Sequence, residues 1–138
     1  MKLREFNMDN AKEVVPTDAC LRVSRSAGLI TFNRTAAEML GLHEGGKIVF
    51  FQDENSPFDW FIKKSDSRNA FAMRFGKSKT SMDLNASRIA MRIIDSVQGR
   101  NQWKAVSFLI KTKPVEMDGE NYYLIITAKP IKIKEKTK

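Results

Sequence analysis

The 138-residue chain holds little of what staples or ligates a protein: one cysteine (Cys20), one histidine (His43) and four prolines. A lone cysteine forms no internal disulfide and no charged-then-apolar leader opens the chain, so a reducing, cytoplasmic setting is expected, with Cys20 as inert packing. His43 sits in an expected turn beside Glu44, with no cysteine or second histidine at ligand spacing, which argues against a zinc site. No apolar run approaches the roughly 18 to 20 residues of a membrane span, and segments such as Tyr123 to Ala128 are short and broken by Thr127. The glycines follow neither a phosphate-loop nor a dinucleotide-binding pattern, and no Gly-x-Ser-x-Gly elbow is present. The acidic clusters Asp53-Glu54 and Glu116, Asp118, Glu120 fall in expected hairpin loops and read as turn residues rather than a general acid–base pair. The sequence therefore predicts no enzyme, no cofactor, no metal and no small-molecule substrate.

What is present is an ordinary globular composition, with 42% apolar and 29% charged residues, in a length suited to one domain. Charge is unevenly placed. Residues 1–68 carry ten basic and ten acidic side chains, whereas residues 69–138 carry fourteen and six. The whole net charge of +8 thus lies in the second half, with +4 of it in residues 129–138. A lopsided basic surface attracts polyanions through a salt-sensitive, sequence-independent term, which makes DNA the first partner to consider. A solubilising lysine tail is the alternative reading.

Along the chain, residues 1–19, interrupted by Pro16, read as an N-terminal arm. A first unit follows over residues 20–68. Leu21 and Val23, then Leu29 to Phe32, make two short strands around the polar connection Ser24 to Gly28. Asn33 is a good N-cap, Thr35 and Glu38 have capping-box spacing, and Gly41 ends a short helix. Lys47 to Phe51 and Phe58 to Lys63 are strands around the polar loop Asp53 to Pro57. A second unit over residues 69–128 repeats the order: strand Ala70 to Phe75, turn Gly76 to Lys79, a strand, a helix marked by Ile89, Ile93, Ile94 and Val97, then strands Ala105 to Lys111 and Tyr122 to Ala128 flanking the turn Glu116 to Gly119. Shifting the chain by 52 residues lays Ile30-Thr31-Phe32-Asn33 over Met82-Asp83-Leu84-Asn85 and Met39 over Met91. The expectation is a β-rich α+β barrel built from two pseudo-repeats of strand-strand-helix-strand-strand, with a basic C-terminal tail over 129–138.

The stretch from Leu21 to Phe50, including Gly28-Leu29-Ile30-Thr31-Phe32, Met39-Leu40-Gly41-Leu42 and Glu44-Gly45-Gly46-Lys47, resembles the AbrB/MazE/SpoVT swapped-hairpin family. That resemblance implies a small interlocked barrel, commonly a DNA-binding transcription regulator or an antitoxin, which two family chains build together and this duplicated chain would build alone. The sequence departs from the family pattern in three places: Leu29 replaces the arginine after the turn glycine, Asn33 the proline before the helix, and Gly46 the aspartate of the second turn. The first departure removes a DNA-contacting group and leaves Arg22, Arg25 and Arg34 as substitutes.

In the second unit Lys77 and Lys79 occupy the turn corresponding to the family's DNA-facing one, Arg74 precedes them, and Arg88 and Arg92 share one helix face at i, i+4. These eight side chains are the candidate nucleic-acid contacts. The tail from Lys129 reads either as an arm lying on DNA or another anionic surface or, because Ile131 and Ile133 alternate with lysines, as an edge strand with a solvated face. The aromatics Phe50, Phe51, Phe58, Trp60, Phe61, Trp103, Phe108, Tyr122 and Tyr123 fall mostly on expected strands and read as core, except that one member of each adjacent pair must point outward. Outward aromatics suit a protein interface. The competing expectation is accordingly a protein partner or homo-oligomer: an antitoxin-like or virion-associated assembly module that binds no nucleic acid.

Overall fold

Alternation of apolar and polar side chains decides which way each strand faces. The computed structural model describes residues 2, 3, 5, 18–75, 81–98 and 102–135. In β1 (Cys20–Ser24) Leu21 and Val23 are buried and Arg22 between them is exposed; in β2 (Leu29–Phe32) Ile30 and Phe32 are buried around Thr31. The hairpin joining them turns at Gly28, whose φ of 64° and close approach to Ser87, 2.8 Å from where a Cβ would stand, admit only glycine without strain.

The helix α1 (Arg34–Leu40) starts at Asn33, whose Oδ1 accepts from the Ala36 N–H at 2.8 Å and from the Cys20 N–H at 3.1 Å. The expected Thr35–Glu38 capping box does not form. Thr35 already lies inside the helix, and the Glu38 carboxylate instead accepts from Arg34 Nε at 2.9 Å. Gly41, with φ of 64°, ends the helix by donating to the Glu38 and Ala37 carbonyls.

The chain continues through β3 (Lys47–Asp53), β4 (Ser56–Lys64), β5 (Phe71–Ala72), β6 (Arg74–Phe75), β7 (Met82–Asn85), α2 (Ser87–Gln98), β8 (Trp103–Ile110), β9 (Val115–Met117), β10 (Glu120–Ile126) and β11 (Lys132–Glu135). Neighbours across the sheet run β5-β3-β4-β10-β8-β1-β2-β7-β6, all antiparallel, with β9 on β10 and β11 on β8. Only Met73 separates β5 from β6, so the two ends of the sheet meet in one short stretch of chain. Met73 N–H donates to the Gly46 carbonyl at 2.7 Å, Gly45 N–H to the Met73 carbonyl at 3.0 Å, and Phe75 N–H to the Glu44 carboxylate at 2.8 Å. The result is a strand-rich, nearly closed, barrel-like sheet, and the expected single strand Ala70 to Phe75 is split where it changes partner from β3 to β7.

The interior is filled from every wall: Leu21, Ile30, Phe32, Ile48, Ile62, Leu84, Phe108 and Ile125 are all at most 1% exposed. Burying such a side chain contributes about 1.5–3 kcal/mol each. The helix α2 adds Ala90, Ile93 and Ile94 to the same core. It is pinned by Ser96, which accepts from the Trp60 indole Nε1–H at 2.9 Å and donates to the Ile93 carbonyl at 2.7 Å.

Two elements differ from the sequence expectation. Val115–Met117 forms a strand, so the turn narrows to Asp118-Gly119, both with positive φ, as a two-residue hairpin requires. The tail contributes β11, in register with Ser107, Val106 and Ala105 of β8. At the other end Ala19 is buried at 1%, so the core begins within the last residue of the expected arm, most of which lies outside the described residues.

Candidate functional site

The in–out alternation divides the outside of the barrel into two unlike faces. On the first, registers align residues across the strands: Arg74 opposite Asp83, Asp83 opposite Thr31, Thr31 opposite Arg22, Arg22 opposite Ser107, and Ser107 opposite Lys132. Arg22 and Arg74 are exposed, and Asp83 is the one acidic residue in this row. At about 4.8 Å per strand, three steps separate the two arginine Cα atoms by about 14 Å. Arg74 Nη2 donates to Asn85 Oδ1 at 3.2 Å, and Asn85 lies two residues from Asp83 on the same side of β7. One carboxylate oxygen of Asp83, Oδ1, is buried with no hydrogen-bond partner among the described residues.

The remaining candidates do not join this row. Arg25, in the β1–β2 turn, is half-buried and its guanidinium pairs with Asp95 of α2. Arg34 pairs with Glu38. Arg88 and Arg92 are exposed on α2, where Arg92 Nε donates to Gln52 Oε1 at 3.2 Å. Lys77 and Lys79 lie outside the described residues. Of the eight, Arg22 and Arg74 are thus brought to one sheet face, while Arg25 and Arg34 are held by carboxylates. Sequence reasoning missed Asp83 and Lys132 as members of the row, because their place depends on the β2–β7 and β8–β11 registers; the alternation of Ile131 and Ile133 with lysines was the available signal for β11.

The opposite face is apolar. Phe51 lies opposite Phe61 and Phe61 opposite Leu124, while Ile126 lies opposite Leu109. None of these five joins the core cluster. Phe51 and Tyr122 meet edge to face with centroids 5.2 Å apart. Lys63 Nζ stands 6.0 Å from the first ring and 5.6 Å from the second while bonding Glu120 at 2.5 Å. That hydrogen bond, more than the Coulomb attraction of the same carboxylate, raises the Lys63 pKa above its ordinary value.

Below this face, at the open end of the β3–β4 hairpin, a polar cavity of about 600 Å³ is lined by His43, Lys47, Lys64, Asp66 and Glu120, among others. Among the described residues no group of three or more His, Cys, Asp or Glu could hold a metal ion, and no helix is long and apolar enough to cross a membrane. The Cys20 thiol is half-buried, and burial, with Asp18 nearby, raises its pKa. No protein-family model, curated protein or solved structure matches the chain.

Proposed function

We propose that this chain is a non-enzymatic DNA-binding protein of the swapped-hairpin kind, working in a reducing, cytoplasmic setting, whose two units form within one chain the barrel that two family chains form together. Pairing registers support the duplication. A shift of 52 residues carries Arg22↔Thr31 onto Arg74↔Asp83 and Val23↔Ile30 onto Phe75↔Met82, both of which are observed partners. Beyond these pairs the correspondence holds only between elements: β1 pairs with β8 as β5 pairs with β3, without the same residue shift. The local twofold implied by these pairs passes through Thr31 and Asp83, which face each other.

The observation that carries the DNA reading is the row across β6, β7, β2, β1, β8 and β11, with Arg22 and Arg74 related by that twofold. Their separation of about 14 Å is comparable with a major groove roughly 12 Å wide, so each arginine reaches the phosphates on one side of a groove. Such contacts bind through counterion release and carry little sequence information. A transcription-regulator role is the use this suits best. An assembly role is the second reading, favoured by the apolar face around Phe51 and Phe61.

Fluorescence anisotropy with a labelled random duplex tests the proposal. The chain should bind at low salt and weaken steeply toward physiological salt. Replacing Arg22 and Arg74 together by Ala should weaken binding on the order of tenfold or more and lower the salt slope by about 2, one for each lost phosphate contact. Binding that is unchanged in the double variant places the contacts elsewhere, and no binding at low salt removes DNA as the partner.

A further inference from the structure

The outer face of β3, β4 and β10 is the wrong polarity for a free barrel. Water-facing positions of antiparallel strands are ordinarily polar, yet here Phe51, Phe61, Leu124 and Ile126 occupy them, and Phe51 is 39% exposed. Contiguous apolar surface of this kind marks an interaction site.

Charge around the face identifies what covers it. On the outer side of β3 the charge runs from Lys47 at the open end of the β3–β4 hairpin to Asp53 at its turn, where Glu54 and Asp59 also sit; Lys64, opposite buried Ile48, points instead to the end of the barrel beside Gly41. Lys47, Asp53, Glu54 and Asp59 are in no ion pair with a described residue: the carboxylates of Asp53 and Asp59 accept from the Asn55 N–H and the Ser56 hydroxyl. The two ends are about six residues apart along β3, or about 20 Å. A second copy laid across the face with its hairpin antiparallel puts each acidic turn on the other's basic end, and a twofold axis satisfies both ends at once. A partner of uniform charge would satisfy only one.

We infer that the chain forms a twofold homodimer through the outer face of β3, β4 and β10, with Phe51 and Phe61 central and the Lys47 end of each hairpin against the Glu54 end of the other. The inference does not depend on DNA binding, since this face lies opposite the arginine row.

Sedimentation equilibrium of the full chain tests it. A monomer–dimer equilibrium is expected, with a dissociation constant below about 100 µM at low salt. Phe51→Glu buries a charge at the centre of the interface and should weaken the dimer on the order of 100-fold. Its circular dichroism should match the parent, and so should its unfolding midpoint at concentrations well below the parent's dissociation constant, because the side chain is already exposed in the monomer. Glu54→Lys and Lys47→Glu should each weaken the dimer about fivefold, and the double variant should return to within about twofold of the parent. A monomer up to about 500 µM overturns the inference. So does a dimer indifferent to Phe51→Glu, or a charge swap that fails to restore association.

Discussion

Asp83 carries the least expected charge in the molecule. It stands in the row one strand from Arg74 and two from Arg22, and its Oδ1 is buried with no hydrogen-bond partner among the described residues. A phosphate drawn to Arg74 or to Arg22 meets this carboxylate at roughly 5 or 10 Å, where an exposed pair of unit charges in water interacts by about 0.8 or 0.4 kcal/mol. Asp83→Asn keeps the shape and removes that repulsion, so DNA affinity at low salt should rise about threefold, read by the same anisotropy titration. A loss of affinity would show that the carboxylate is needed and that phosphates do not lie along this row. The arginines were visible in the sequence through their nearness to the two turns. Asp83 between them was not, because its neighbours Thr31 and Arg74 are fixed by non-local registers rather than by spacing along the chain. Arg25 teaches the same lesson in reverse: it reads as a free cation, and Asp95, seventy positions away, holds it.

At the scale of elements, what local chemistry controls was legible. Asn33 and Gly41 bound α1, Gly28 turns the first hairpin and Asp118-Gly119 the last, each through a side chain or a positive φ that the residue type itself supplies. Placement of α2 and β11 was not legible, because their partners are distant in the chain. Ser96 shows how α2 is fixed. Its hydroxyl joins the Ile93 carbonyl within the helix to the Trp60 indole on β4, and Trp60 is 2% exposed. Ser96→Ala leaves a buried indole N–H unpaired, which costs about 1–3 kcal/mol. The denaturant midpoint should fall accordingly with an unchanged m-value. A shift below about 0.5 kcal/mol, within the range of ordinary surface substitutions, would mean that packing of Ile93 and Ile94 alone holds the helix.

Across the whole molecule, the two units complete each other. The β1–β2 hairpin is flanked by β8 and β7, and the β3–β4 hairpin by β5 and β10, so each hairpin of residues 20–68 pairs on both sides with strands of residues 69–128. Neither hairpin of the first unit pairs with the other. A first unit alone therefore has two isolated hairpins and one helix of seven residues, and a two-stranded hairpin without further strands is at best marginally stable in water. The interior also needs both halves, since Leu21 and Val23 face Phe108 and Val106, and Ile62 faces Tyr123. Expressed separately, fragment 1–68 should give the circular dichroism of an unfolded chain, and fragment 69–138, which keeps only the pairing β9-β10-β8-β11 and β6-β7, should lack the parent's spectrum. Mixed, they should form a one-to-one complex with the parent's spectrum, and Trp60 and Trp103 should become buried together. The complex should weaken with Phe108→Ala, which removes a large side chain from the shared core at a cost of about 3–5 kcal/mol. If either fragment folds alone as a monomer, the cross-unit pairing is dispensable and the barrel is two domains in contact; if neither fragment rescues the other, the chain between the units guides assembly as well as joining it.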